Sequence, residues 1–153
     1  MASNSPVSDL TSHLGYWLRM VSNHVSHAFA AKLVEKEVTV AEWSFMRALY
    51  GEEPAPPTRL ARKMGMTKGA ITKLADRLIA KSLVERAANA ADGRAQTLAL
   101  TARGIDLVPT LAALADDNDA EFFGCLTVAE RALLEGLLKR MVQHHRLATM
   151  PLE

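Results

Sequence analysis

The stretch from Thr58 to Thr101 admits few folds, because its apolar residues keep a helical period through two segments and then lose it. Across residues 67–81 the apolar positions are Ile71, Leu74, Ala75, Leu78 and Ile79. Steps of three and four place them on one stripe of an α-helix. Lys68, Thr72, Lys73, Asp76 and Arg77 then fall on the opposite, solvent face. Upstream, Leu60, Ala61 and Met64 form a shorter stripe, with Gly65 after it as a helix-ending residue. Thr67 offers a hydroxyl to cap the next helix. Two short helices with a Gly in the turn between them make a helix-turn-helix unit.

Past the second helix, Leu83–Arg86 and Gln96–Leu100 suit short strands. The segment from Asn89 to Arg94 supplies a turn between them, where Asp92-Gly93 tolerates the positive φ of a hairpin tip. Helix-turn-helix followed by a hairpin is a winged helix, here with Arg94 at the tip of the wing. Charge agrees with that reading. Arg59, Arg62, Lys63, Lys68, Lys73, Arg77, Lys81, Arg86, Arg94 and Arg103 stand against Asp76, Glu85 and Asp92, a balance of +7 over residues 58–103. The whole chain carries 18 Lys/Arg and 17 Asp/Glu, net +1, so everything else sums to −6. Positive charge concentrated on one module of a near-neutral protein is suited to meet phosphate there.

At this point the sequence resembles a family, the MarR-type (multiple antibiotic resistance regulator) transcription factors. Residues Asp92 to Thr101 fit that family's wing signature D-x-R-x-x-x-x-x-L-T at each specified position. Ile71–Leu78 followed by Lys81–Arg86 looks like its recognition helix and first wing strand. Lys73 stands where an Arg is common and Ser82 where Gly is usual. The resemblance extends over about residues 8–148. It implies a mainly α fold with a small β-hairpin wing: a winged helix-turn-helix with N- and C-terminal dimerisation helices. It also implies a homodimer on a pseudo-palindromic operator in double-stranded DNA, a repressor released by a small ligand.

The flanking segments suit that plan within one domain, residues 1–153, with residues 56–103 as the DNA-binding module and about 9–36 and 104–148 as the dimerisation helices. Leu10, Leu14, Leu18, Val21, Val25, Phe29 and Leu33 recur three or four apart, with Ser8 or Asp9 as the expected cap. Thr39 and Glu42 form a capping box before Trp43, Phe45, Met46 and Leu49. Prolines in the segment 51–57 break that helix. Thr101 caps another long helix, with Ile105, Val108, Leu111, Leu114, Ala115 and Phe122 on its apolar side and Pro109 expected to kink it. Thr127 and Glu130 repeat the capping box ahead of Leu133, Leu134, Leu137, Leu138, Met141 and Val142. The terminal helices are too long and too apolar for the winged module to cover, which predicts that two subunits interlock them.

The residues expected to face DNA are Thr67, Lys68, Thr72, Lys73, Arg77, Arg86, Asp92 and Arg94. Helix cations and amides suit the major groove and its phosphates. Arg94 suits a narrow, A·T-rich minor groove. Asp92 is expected to brace Arg94 or Arg86 through a carboxylate–guanidinium pair. On a bare helix such charges are merely solvated; the turn, the wing and the +7 balance favour phosphate. For the ligand, the family's cleft between dimerisation helices and winged module points to Trp17, Met20, His24, Trp43, Met46 and Arg47, a lining suited to an aromatic acid. Simple core packing is the competing account of the same Trp and Met residues.

Other classes have less behind them. A winged helix used only for protein contact fits poorly with a Lys-rich face. His24 and His27, with His144 or His145, could chelate zinc, yet no Cys or carboxylate sits at ligand spacing beside them. Some members of this family sense oxidants through a thiol near the start of helix one, whereas the single cysteine, Cys125, lies at the end of helix five in apolar company, where a buried inert thiol is expected. No nucleophile motif, phosphate loop or catalytic carboxylate pair is present. No enzyme activity, metal or cofactor is expected. The N-terminus lacks signal-peptide character and no apolar run spans a membrane, so a cytoplasmic protein is expected.

Overall fold

The computed structural model describes residues 6–89 and 92–147, without the side chains of residues 89 and 92–95. Six helices and one hairpin follow in the order α1 (Leu14–Val34), α2 (Val40–Leu49), α3 (Pro57–Met64), α4 (Lys68–Ala80), β1 (Val84–Asn89), β2 (Asp92–Leu100), α5 (Ala102–Phe123) and α6 (Val128–His144). This is the mainly α, winged helix-turn-helix arrangement expected from the sequence.

The first helix begins later than its spacing predicts. Residues Leu10–Ser12 form a single 3-10 turn, and His13 rather than Ser8 or Asp9 stands at the α1 N-cap, without a side-chain cap bond. Asp9 contributes its carbonyl instead, accepting from Ser12 Oγ at 2.6 Å. That local bond competes with helix continuation, as Ser side chains do near helix starts. Both capping boxes form as expected: the Thr39 and Thr127 hydroxyls accept from Glu42 N and Glu130 N, each at 3.1 Å. The Thr127 amide, donating to the exposed Glu130 carboxylate at 2.9 Å, and then the Thr127 hydroxyl beside it hold that carboxyl below its ordinary range.

The strands are longer than their apolar pattern suggests. Pairing is antiparallel from Val84↔Leu100 to Asn89↔Asp92, with an irregularity between Ala88 and Asn89. Asp92 and Gly93 therefore begin β2 rather than forming the tip, and the tip itself, residues 90–91, lies outside the described residues. A third element joins the hairpin: Ala55, in the proline-rich loop, bridges Leu98 through two backbone bonds of 3.0 and 2.8 Å. The prolines that break α2 thus lead into an edge contact, which ties the wing to the segment entering α3.

One core unites the module with the helices around it. Phe45, Leu60, Met64, Ile71, Leu78, Val84 and Leu98 are fully buried together with Leu33 of α1 and Val108 and Leu111 of α5. Two polar staples reinforce it. Asn118 of α5 donates to the Val25 carbonyl of α1 at 3.1 Å and accepts from Lys32, which also pairs with Glu121. Lys81, at the end of α4, pairs with the buried Glu42 carboxylate at 2.7 Å and donates to the Glu37 carbonyl.

α6 stands apart. None of its residues is buried, although Leu133, Leu137, Leu138, Met141 and Val142 mark a long apolar face. The outer half of α1 is similar, with Leu14 87% exposed and Leu18 and Val21 also open. Ile105, placed on the apolar side of α5 by its spacing, is exposed as well. Pro109 lies inside α5 without dividing it. Cys125 corrects the expectation of burial: it is exposed in the turn after α5, with its thiol 3.7 Å from the Phe122 carbonyl oxygen. Among the described residues, no helix is long and apolar enough to cross a membrane.

The exit from α4 is a Schellman turn, with Leu83 N donating to Leu78 O and Ser82 N to Ile79 O. Its left-handed position is Ser82, φ 60°. A side chain there is strained relative to Gly. Thr101 N donates to the Leu83 carbonyl, and Gly104 packs so closely that an added Cβ would lie 2.2 Å from the same oxygen. Ser82→Gly is therefore expected to stabilise the fold by about 0.5–1 kcal/mol. Gly104→Ala is expected to destabilise it by about 1–3 kcal/mol through overpacking against backbone. Urea unfolding midpoints at one fixed protein concentration test both; a neutral Gly104→Ala would mean that α5 is not seated on the wing root as described.

Candidate nucleic-acid interface

The helix-turn-helix is built by local chemistry. Pro57 opens α3 at its first turn, where its missing N–H costs nothing. Gly65 ends it at φ 64°, the left-handed conformation glycine adopts without penalty, and Met66 N closes the turn onto Ala61 O at 2.9 Å. Thr67 then caps α4 by accepting from Ala70 N at 3.1 Å. Ile71, Leu74, Ala75 and Leu78 seat α4 in the core, so Lys68, Thr72, Lys73, Asp76 and Arg77 are turned outward.

The cations of this module divide into two groups. Four are engaged within the chain: Lys63 donates to Ala48 O at 3.1 Å, Lys81 pairs with Glu42, Arg86 pairs with Asp76 at 2.6 Å, and Arg103 donates to Lys81 O. Arg59, Arg62, Lys68, Lys73 and Arg77 are exposed on α3 and α4 and have no hydrogen-bond or ion-pair partner among the described residues. An outward row of uncommitted charges can neutralise phosphates without first breaking an internal bond.

Other expected interface residues have narrower roles. The Thr67 hydroxyl is occupied as a cap, and the Thr72 hydroxyl donates back to the Lys68 carbonyl at 2.9 Å, leaving its acceptor side and methyl group outward. Arg86 lies on the hairpin face it shares with Val84, Leu98 and Leu100, which looks toward α4. Its carboxylate partner is Asp76; the brace from Asp92, together with the side chain of Arg94, lies outside the described residues. Sequence spacing does not reveal the Arg86–Asp76 pair, since it depends on how the hairpin folds back on α4.

The six residues expected to line a ligand cleft do not converge. Met46 is 0% exposed within the core, because its position on α2 points inward beside Phe45. Arg47 points outward, over the Tyr50 ring at 5.8 Å. Trp43 is half-buried and meets Phe29 edge-on at 6.4 Å, so the α1–α2 contact keeps one aromatic pair. Trp17 and Met20 lie on the exposed outer half of α1, where Trp17 Nε1 donates to Thr11 O. His24 stacks at a tilt on Phe122 of α5. His27 brings no third ligand to His24: among the described residues no cluster of three metal-ligating side chains occurs. Two grooves form elsewhere, one between α5 and α6 lined by Phe123, Arg131, Leu134 and Leu138, the other where Leu14 meets Leu137, Met141 and His144.

Comparison with known proteins converges on one family. The model of the MarR family matches residues 36–95, from the α1–α2 turn into the wing. The multiple antibiotic resistance protein MarR of Escherichia coli K12 is 28% identical over 143 residues, 93% of this chain and 99% of its own length. The transcriptional repressor NicR of Pseudomonas putida is 24% identical over 139 residues, 91% of this chain and 87% of its own. Among solved structures, a MarR variant from E. coli in complex with operator DNA superposes with TM-score 0.77 at 29% identity, covering 88% of this chain and 99% of that one.

The two kinds of residue on α4 separate by experiment. Thr67→Ala is expected to cost about 1 kcal/mol of stability through the lost cap. Lys73→Ala, at a solvent-facing site, is expected to stay within about 0.5 kcal/mol of the parent. Denaturant titration measures both, and a large loss in Lys73→Ala would mean that this side chain serves the fold.

Proposed function

We propose that this chain is a member of the MarR family and a sequence-specific DNA-binding transcription regulator acting as a homodimer. The single observation that carries this reading is the outward row of uncommitted cations on a capped, core-seated α4. Lys68, Thr72, Lys73 and Arg77 enter the major groove, the α4 N-terminus at Thr67 meets phosphate, and Arg94 reaches the minor groove beside it. Residues 56–103 form the DNA-binding module; residues 9–36 and 104–148 are the dimerisation helices of one domain. The bare apolar faces of α6 and outer α1 support the dimer. Two recognition helices then reach successive major grooves about 34–36 Å apart, which sets the operator's half-site spacing.

The regulatory sense follows the same reading. Occupying a promoter site represses, and a small aromatic ligand at the α1–α2 contact releases the DNA. The half-buried Trp43–Phe29 pair supports an aromatic guest at that place. Nothing in this reading requires catalysis, and its DNA partner places the protein in the cytoplasm.

Binding to duplexes from the chain's own upstream region is expected to be steeply salt-dependent. A dimer engaging about eight to ten phosphates gives a slope of log K against log[salt] near −7 to −9. Fluorescence anisotropy measures it, and a slope shallower than about −3 would remove the basic face as the contact surface. Leu137→Glu, at an exposed position on α6, would cost little in a monomer. In the proposed dimer it is expected to abolish both the two-chain species in light scattering and operator binding.

A further inference from the structure

The Arg86–Asp76 pair joins a cation of the wing to the one carboxylate on the exposed face of α4. Its Nη2–Oδ1 distance is 2.6 Å, with the side chains 37% and 59% exposed, so it sits at the rim of the crevice between hairpin and helix. Val84, Leu98 and Leu100 are buried on the same hairpin face, and Arg86 continues that face outward. Lys73 lies one turn before Asp76 and Arg77 directly after it, both open to solvent. A carboxylate among such cations repels phosphate unless it is neutralised, and a guanidinium held by a carboxylate is unavailable to phosphate. Exposed pairs of this kind add little to stability, about 0–1 kcal/mol, so fold energetics alone give weak reason for it.

We propose that Asp76 is a specificity-determining residue: it sequesters Arg86 and so withholds one phosphate-binding cation per subunit from the DNA interface. Non-specific binding is the term that depends on the count of such cations, whereas base reading does not. On arbitrary DNA phosphate contacts alone hold the complex, which is free to shift until every available cation is seated, whereas base contacts fix the register on the operator; holding Arg86 back therefore lowers affinity for arbitrary DNA more than for the operator. The proposal rests on the DNA-binding reading above and extends it to how discrimination is set.

The test uses the full-length dimer with two probes: a duplex from its own upstream region and a scrambled duplex of the same length and composition. Binding of the parent, Asp76→Asn and the double variant Asp76→Asn/Arg86→Gln is followed by anisotropy across a salt series. Asp76→Asn frees two guanidinium groups per dimer. It is expected to bind scrambled duplex about tenfold more tightly near 0.1 M salt, with a slope steeper by about 1–2. The ratio of specific to scrambled affinity should fall. The double variant keeps the parent's net charge and is expected to return to the parent's slope and ratio. Unchanged or weaker scrambled binding by Asp76→Asn overturns the proposal, since the pair would then only brace the wing. A double variant with a slope shallower than the parent also overturns it, because Arg86 would already touch phosphate in the parent. Failure of the parent to prefer its own duplex, or to bind either probe, overturns instead the regulator reading on which this rests. Thermal unfolding of each variant, expected within about 2 °C of the parent for an exposed pair, separates lost binding from lost fold.

Discussion

The orientation of α4 depends on what grips its C-terminal end, and the ammonium of Lys81 is the centre of that grip. It reaches the Glu42 carboxylate, whose side chain is only 3% exposed, and the Glu37 carbonyl at the α1–α2 turn. Glu42 is already engaged by the Thr39 amide in its capping box, so one carboxylate fixes both the start of α2 and the end of α4. A buried charge stripped of its partner is costly, commonly several kcal/mol, whereas the intact pair is close to neutral. Such a pair contributes little net stability and much uniqueness: the cost falls on arrangements in which α4 ends elsewhere.

From the other side, the start of α5 closes on Lys81 and the two residues after it, Ser82 and Leu83. Arg103 donates to the Lys81 carbonyl, the Thr101 hydroxyl to Ser82 O, and the Thr101 amide to Leu83 O. Carbonyls exposed at the end of a helix need partners, and here α5 and the wing root provide them. A shift of α1 or α5 is therefore transmitted to α4 through polar contacts with defined geometry. The Asn118 staple does the corresponding work between α1 and α5, so the core beneath the module responds as one body.

What could be read in the sequence was local. The stripe of Ile71, Leu74, Ala75 and Leu78, the caps at Thr39, Thr67, Thr101 and Thr127, and the Gly65 stop depend on residues within a turn or two of one another, and all appear as expected. Contacts across the chain were not legible. Glu42 reads as a cap, yet nothing in its spacing points to a lysine at position 81; Ala55 reads as loop, though its backbone pairs with Leu98. Met46 and Trp17 show the same limit from the side of the site. Helical period puts each on a face, but which face meets the core, solvent or a second subunit is decided by tertiary packing.

The bareness of α6 has a kinetic side. A helix of 17 residues that buries none of them within its own chain draws little stability from the core, whereas most helical stability in proteins comes from packing an apolar face. Whatever covers it therefore arrives by encounter, not by intramolecular collapse. Folding of the C-terminal part becomes second-order, faster in concentrated solution and incomplete in dilute solution. The amount of protein would then set how much of each chain is structured, before any other partner is considered.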